Sequence, residues 1–426
     1  MSQRDSTRSI DNLDLTEMLE QGIRRPFRDR VRFFSNTYAG LLRGPGAMLM
    51  RETHSATDRV VQVFDPAQGE SREMLMFGSN NYLGLANHPF VRERVTAAIR
   101  EFGVGTSGPP HFNGYTRLHR EAEERLAAFK RMEDAVIFSS GYGANIGVVS
   151  GILNDTDTVY WDEYIHASVW DAICMAGVRS FRRFLHNDAD DLEQVIANHD
   201  RPSSCKDLFV MVDGVYSMDG DVAPLDKIVP ICKRHGAILL VDDAHGSGVM
   251  GPTGRGTVEH FGLEADVDII TATLGKSFGV VGGFVAASRE ICDFVRMFAR
   301  SYVFSNSIPP AFLAGIIAGT ELIERDPSIR ERLHANVQRA TKGLQAAGFD
   351  IAPEAAILVL KVPPEMNILA AATRFHELGV FVNYVPFPAV PADQQRFRIS
   401  VSACHEPGDI DKLVTAICEV WEQFAG

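Results

Sequence analysis

The chain is poor in the features that would announce several classes of protein. Its six cysteines, scattered without CxxC spacing through 426 residues, give neither a disulfide framework nor a zinc pattern and point to reduced thiols. Positive charge is also in deficit: 42 Lys+Arg against 55 Asp+Glu leave a net −13. Such a balance lacks the electrostatic footprint of a dedicated nucleic-acid binder, although one local pocket can still be positive enough for a small anion. Long apolar runs are missing too. The longest, near Ala311–Gly319, is far short of the ~20 residues a membrane-spanning helix needs, and Met1–Leu13 has no apolar core of a secretory signal. These absences predict a soluble, cytoplasmic protein with no nucleic-acid partner and no transmembrane segment.

What remains is ordinary globular usage, 45% apolar and 23% charged, in a chain long enough for two or three domains. Residues 1–75 read as an N-terminal arm. Leu15, Met18, Leu19 and Ile23 there recur at helical spacing, and Arg24, Arg25, Arg28, Arg30 and Arg32 follow as a solvated basic face. From 76 to 325, short β-rich runs alternate with helical periodicity: Ala135–Phe138, Thr158–Trp161, Leu208–Val212, Ala237–Val241, Asp268–Thr271 and Gly283–Ala287. Several are apolar throughout, as strands are when both faces of a parallel sheet are covered. The helical run Ala311–Glu324 is expected to bridge to a smaller α+β domain over 326–426, with strands at Ile357–Val362 and Phe397–Val401. The predicted class is α/β, with a mostly parallel central sheet.

Chemistry-bearing residues follow the C-terminal ends of these runs, where ligands collect in open α/β sheets. In Thr273-Leu274-Gly275-Lys276-Ser277, Lys276 reads either as a surface lysine or as a desolvated amine able to form a Schiff base. The hydroxyls beside it suit a phosphate. In Asp242-Asp243-Ala244-His245, a strand-end carboxylate three residues before a histidine fits a metal site or a catalytic pair. No other His or Cys clusters at metal spacing, so no metal is expected. An alternative to the catalytic pair is that Asp242 pairs with a protonated pyridinium nitrogen while His245 binds a phenolic oxygen, the acidic partner that pyridoxal phosphate needs beside a lysine Schiff base. Phe138-Ser139-Ser140-Gly141-Tyr142-Gly143-Ala144-Asn145 runs from strand into helix, where backbone N–H groups cradle phosphate. His166, in His166-Ala167-Ser168, offers an aromatic plate.

Together with Gly78-Ser79-Asn80-Asn81-Tyr82-Leu83-Gly84-Leu85 and Val215-Tyr216-Ser217-Met218-Asp219-Gly220-Asp221, these six motifs in this order resemble the α-oxoamine synthases. That family of fold-type I pyridoxal 5'-phosphate (PLP) enzymes includes serine palmitoyltransferase, 8-amino-7-oxononanoate synthase, 2-amino-3-ketobutyrate ligase and 5-aminolevulinate synthase. The resemblance runs from about Phe34 to His405. It implies Lys276 as the Schiff-base lysine, Asp242 at the pyridine nitrogen, His166 stacked on the ring, and Ser217 and His245 at the ring oxygen. Ser140, Gly141, Tyr142 and Thr273 would hold the phosphate. A segment like Phe304-Ser305-Asn306-Ser307 reaches the neighbouring subunit's phosphate in the family, so Ser305 implies a homodimer. Arg398 would grip the substrate carboxylate, with Asn80 nearby and Arg396 as a competitor.

The implied activity is an acyltransferase reaction. An α-amino acid condenses with an acyl thioester, on coenzyme A or an acyl-carrier protein, with loss of carbon dioxide. Val380-Phe381-Val382-Asn383, Pro388-Ala389-Val390-Pro391 and Met76–Asn80 are similar to serine palmitoyltransferases, whereas Leu274–Gly279 is closer to the oxononanoate synthase and ligase pattern. Pro109-Pro110 departs from the family, where a small residue and then arginine are usual, and predicts a reshaped substrate pocket. An aminotransferase and a non-catalytic partner subunit are the alternative readings.

Overall fold

The computed structural model describes residues 22–43, 49–65, 68–386 and 390–424. The expected helix on Leu15, Met18 and Leu19, and the residues Pro388 and Ala389, lie outside them. The arginine-rich stretch leads into a helix, Phe27–Arg43, on which Arg28 and Arg32 are exposed, as expected of a solvated face.

Tertiary contacts divide the chain into two units, one drawn from Met1–Ser79, Ala335–Pro353 and Ile357–Gly426, the other from Asn80–His334 with Glu354–Ala356. The N-terminal segment therefore groups with the C-terminal one. It carries a hairpin, β1 (Val60–Asp65) and β2 (Glu70–Met76). The Gln68-Gly69 turn uses Gly69 at φ +71°, a conformation glycine adopts at little cost.

The larger unit holds a seven-stranded sheet of β3 (Asp134–Phe138), β4 (Thr158–Asp162), β5 (Ser180–Phe184), β6 (Leu208–Asp213), β7 (Ala237–Asp242), β8 (Ile269–Thr273) and β9 (Gly283–Ala287). The spatial order is β3-β9-β8-β7-β6-β4-β5. β9 runs antiparallel to both neighbours, and the other pairings are parallel. Alternate side chains feed two cores, one on each face. Phe209 and Met211 enter the first with Val148 and Ile173, while Val210 and Val212 enter the second with Ile196 and Ile228. Each such Val, Leu, Ile or Met contributes roughly 1.5–3 kcal/mol of burial. Helix Pro310–Arg325 packs within this unit against helices Pro89–Phe102 and Arg117–Lys130. The following helix, Pro327–Ala346, is the one that passes from one unit's residues into the other's at Ala335, so the expected bridge falls one helix later.

The other unit completes itself with β10 (Ile357–Lys361), β11 (Val380–Phe381), β12 (Asn383–Val385) and β13 (Arg396–Ser400). β11 joins β2 in parallel, and β10-β13-β12 form a separate antiparallel sheet. Among the described residues no helix is long and apolar enough to cross a membrane.

Candidate active site

The ends of β3, β4, β6, β7 and β8 come out on one edge of the seven-stranded sheet, and the turns that follow them enclose a cavity of about 210 Å³. Gly141, Tyr142, His166, Asp242, His245, Thr273 and Lys276 line it, joined by Asn145, Ser168 and Asp213.

At one end, helix Gly141–Ile152 begins directly after β3. Ser140 caps it, its hydroxyl accepting the Gly143 N–H at 2.9 Å, so its side chain serves the helix and Gly141 and Tyr142 form the wall. A Cβ on Gly141 would lie 2.8 Å from Thr273 Cβ and 2.9 Å from its Oγ1. Only glycine lets the helix start approach that hydroxyl. A helix N-terminus beside a threonine is a ready cradle for a phosphate dianion.

The middle of the cavity is organised by a run of polar contacts. Asp242, buried at the end of β7, accepts from Asn145 Nδ2 at 2.6 Å and from the Ala244 N–H at 3.0 Å. Asn145 Nδ2 also reaches Ser168 Oγ at 2.9 Å, and that hydroxyl lies 2.7 Å from His166 Nδ1. The imidazole is thereby fixed at the start of helix Ala167–Ala176. Asp213 stands in register with Asp242 on the neighbouring strand and is equally buried. Burial, and then the adjacent Asp242, push its carboxyl well above the usual range. Two carboxyl groups on adjacent strand ends do not both ionise readily, and burial adds to the cost for Asp213.

At the far side Lys276 Nζ lies 2.7 Å from His245 Nε2, His245 Nδ1 lies 2.8 Å from Tyr82 Oη, and Tyr82 donates to Asn80 Oδ1 at 3.3 Å. With Lys276 as an ammonium donor, His245 carries its proton on Nδ1, and donors point one way from lysine to asparagine.

Other predicted residues stand apart from this lining. Ser217 is in the turn after β6, partly buried and outside the lining set. That turn is tied down by His186, which bridges Asp162 at 2.9 Å and Asp221 at 2.7 Å. Burial alone would lower the pKa of His186, but the two carboxylates overcome it and push it up to about 10, so an imidazolium holds the turn at neutral pH. Ser305 follows the short helix Arg300–Val303 and is also outside the lining. Arg398 belongs to the other unit, buried on β13 with Nη1 donating to Ser400 Oγ at 3.1 Å. Its competitor Arg396 is engaged by Gln394. Pro109-Pro110 opens a five-residue turn, Pro110–Gly114, whose entry is tied to the 304–307 segment by Ser307 N–H donating to the Gly108 carbonyl at 3.0 Å.

The residues fit PLP. There is a phosphate cradle that a Cβ would fill, a buried carboxylate, a plate-like imidazole, a lysine in hydrogen-bond reach of a histidine, and a buried Asn145 Oδ1 with no partner among the described residues. The family profile described as Aminotransferase class I and II matches residues 72–417.

The chain belongs to that family. Within it, the chain is similar to two groups of α-oxoamine synthases. It is 40% identical to an 8-amino-7-oxononanoate synthase of Citrifermentans bemidjiense, over 86% of this chain and 95% of the relative. It is 36% identical to a serine palmitoyltransferase of Bacteriovorax stolpii, over 83% and 84%. Among solved structures, a serine palmitoyltransferase from S. paucimobilis with PLP and myriocin bound superposes with TM-score 0.86 at 30% identity, covering 94% of this chain and 99% of that one. A Sphingomonas wittichii serine palmitoyltransferase gives 0.84 at 31%, over 92% and 97%. As in the family, PLP is the cofactor. No group of three His, Cys, Asp or Glu placed to hold a metal occurs among the described residues.

Proposed function

We propose that the protein joins an α-amino acid to an acyl thioester, with loss of carbon dioxide and the thiol, to leave an α-amino ketone. PLP supplies the electron sink for this chemistry. The carrying observation is the single cavity in which Lys276, paired with His245, faces the same space as Asp242, His166 and the Gly141–Thr273 cradle. Gly141, Tyr142 and Thr273 hold the phosphate, Asp242 serves the ring nitrogen, and His166 serves the ring face. Lys276 Nζ takes and returns the proton at the amino acid's Cα, with His245, Tyr82 and Asn80 behind it to orient the amine. Release of carbon dioxide that depends on both an amino acid and an acyl thioester tests this reading. The panel crosses amino acids with short, dicarboxylic and long-chain thioesters on coenzyme A and on carrier protein, and serine with a long-chain donor is the first pair. An aminotransferase would instead turn over with a keto acid and no thioester.

Arg398 is the candidate carboxylate anchor, because a guanidinium offers a planar two-pronged fork. Arg398→Lys keeps the charge and loses the fork. It is expected to raise the amino-acid KM by roughly tenfold or more, about 1.4 kcal/mol, with cofactor affinity unchanged. Unchanged KM in steady-state assays would remove Arg398 from the role.

The active unit is proposed to be a homodimer. Helix Arg289–Phe298 buries Cys292 and Val295 but leaves Phe294, Met297 and Phe298 exposed on another face, with Phe304 exposed nearby in sequence. Such a stripe fits a second copy better than water. Sedimentation at assay concentration should show a dimer, and full activity in a demonstrated monomer would contradict it. All six cysteines are free, in keeping with a reducing compartment such as the cytoplasm.

A further inference from the structure

Beneath the Asp242–His245 turn lies a closed set of charges that the reaction itself does not use. Lys130 ends helix Arg117–Lys130 and is 2% exposed, and Asp243 is 0% exposed. Lys130 Nζ donates to Asp243 Oδ2 at 2.6 Å, lies 2.7 Å from Ser247 Oγ, and donates to the Arg255 carbonyl. All three ammonium protons are therefore placed. Asp243 Oδ1 accepts from Thr257 N–H at 3.1 Å and Thr257 Oγ1 at 2.6 Å, while Oδ2 also accepts from Ser247 Oγ at 2.9 Å. Its main chain is pinned as well, N–H to the Thr271 carbonyl at 2.7 Å and carbonyl to the Ser247 N–H at 2.9 Å.

The surroundings leave the carboxylate no slack. A Cβ on Gly256 would fall 1.7 Å from Asp243 Oδ2, one on Gly246 would fall 2.1 Å from Oδ1, and one on Gly214 would fall 2.9 Å from it. A buried ion pair is a poor way to gain stability, since an apolar pair of similar volume often does as well. What it adds is direction. Asp243 is the one residue of the 242–245 turn that does not line the cavity, with Asp242 before it and Ala244 and His245 after it. With its side chain locked on the other side, the turn presents the Asp242 carboxylate to Asn145 and the His245 ring to Lys276 and Tyr82.

We infer that Lys130 and Asp243 are a positioning pair for Asp242 and His245, acting through the turn and touching neither substrate nor cofactor. The inference rests on reading Asp242, His245 and Lys276 as the reactive set. Cofactor binding and carbon dioxide release by the unaltered protein test that reading separately.

The experiment compares Lys130→Met, Asp243→Asn, their double variant and Thr257→Val, which removes one hydrogen bond from Asp243 and leaves the charge pair whole. The readouts are Tm of the cofactor-free protein, the PLP dissociation constant, the pH midpoint of the bound cofactor's absorbance, kcat and amino-acid KM. The charge-balanced double variant should melt within a few degrees of the parent, yet its kcat should fall by roughly 10–100-fold, the scale of a misplacement transmitted from outside the reacting centre. Its KM should stay within about threefold, the pattern of a loss felt after binding. The absorbance midpoint should move by about half a pH unit or more. Thr257→Val should move kcat and the midpoint in the same direction by less. Should the charge variants not fold, Thr257→Val alone decides. A parent-like kcat and midpoint in the folded variants, whatever their Tm, would overturn the inference and leave the pair a stabiliser only.

Discussion

Lys276→Ala should abolish turnover while leaving a folded protein. Lys276 is partly exposed, so the change makes no core cavity, and it removes the amine that His245 Nε2 holds at 2.7 Å. In the proposed role the amine both tethers the cofactor and moves the proton at the substrate's Cα, so its loss removes two functions at once. A fall in kcat of at least ~10⁵-fold is expected, about 7 kcal/mol of barrier, with PLP still able to occupy the phosphate cradle reversibly. Borohydride treatment of the parent holoenzyme, followed by peptide mapping, should find the cofactor fixed to Lys276, and the variant should show none. Label on any other lysine would end the assignment.

Asp242→Asn is expected to be almost as severe for a different reason. The carboxylate accepts two N–H donors, one at each oxygen, and an amide has only one acceptor oxygen, so one buried donor is left facing an NH₂. That mismatch costs roughly 1–3 kcal/mol of stability. The larger effect is on rate, because in the role proposed for Asp242 a neutral side chain cannot hold a proton on the ring nitrogen. A drop in kcat by several powers of ten is expected, each about 1.36 kcal/mol, in a protein that binds PLP with its usual stoichiometry. Near-parent rates of Cα proton exchange, followed by loss of deuterium from a labelled amino acid, would take Asp242 out of the mechanism.

The sequence made some of this visible and hid the rest for physical reasons. β6 and β7 are legible because both faces are covered, so Leu208–Val212 and Ala237–Val241 carry no polar interruption. β5 is not, because it is an edge strand whose central residues Phe181, Arg182 and Arg183 are all exposed. The β1–β2 hairpin is not legible inside the N-terminal segment, since Gln62 and the run Glu70–Glu73 break the apolar pattern. In the site, Lys276, Asp242, His245 and His166 could be named from motifs. Asn145, Ser168 and Tyr82 sat inside those same motifs without a role, because their function is a hydrogen bond to a residue far away in sequence. Asp213 stands in the sequence as one more carboxylate at the end of an apolar run. Its pairing with Asp242 comes from strand register, which no local pattern encodes.

The unit built from both chain ends also sets an order of events during synthesis. β2 finds its parallel partner β11 only when Val380 and Phe381 have been made, for Leu75 pairs with Val380 and Met76 with Phe381. At ~5–20 residues per second, a gap of roughly 300 residues keeps that edge waiting for about 15–60 seconds after β2 is made. The contiguous Asn80–His334 stretch can collapse in that interval, whereas the hairpin stands with an open row of N–H and C=O groups. Nascent chains stalled before residue 380 should therefore be the aggregation-prone species, and a chaperone that holds the first 79 residues should raise the yield of folded protein more than one acting on the released chain.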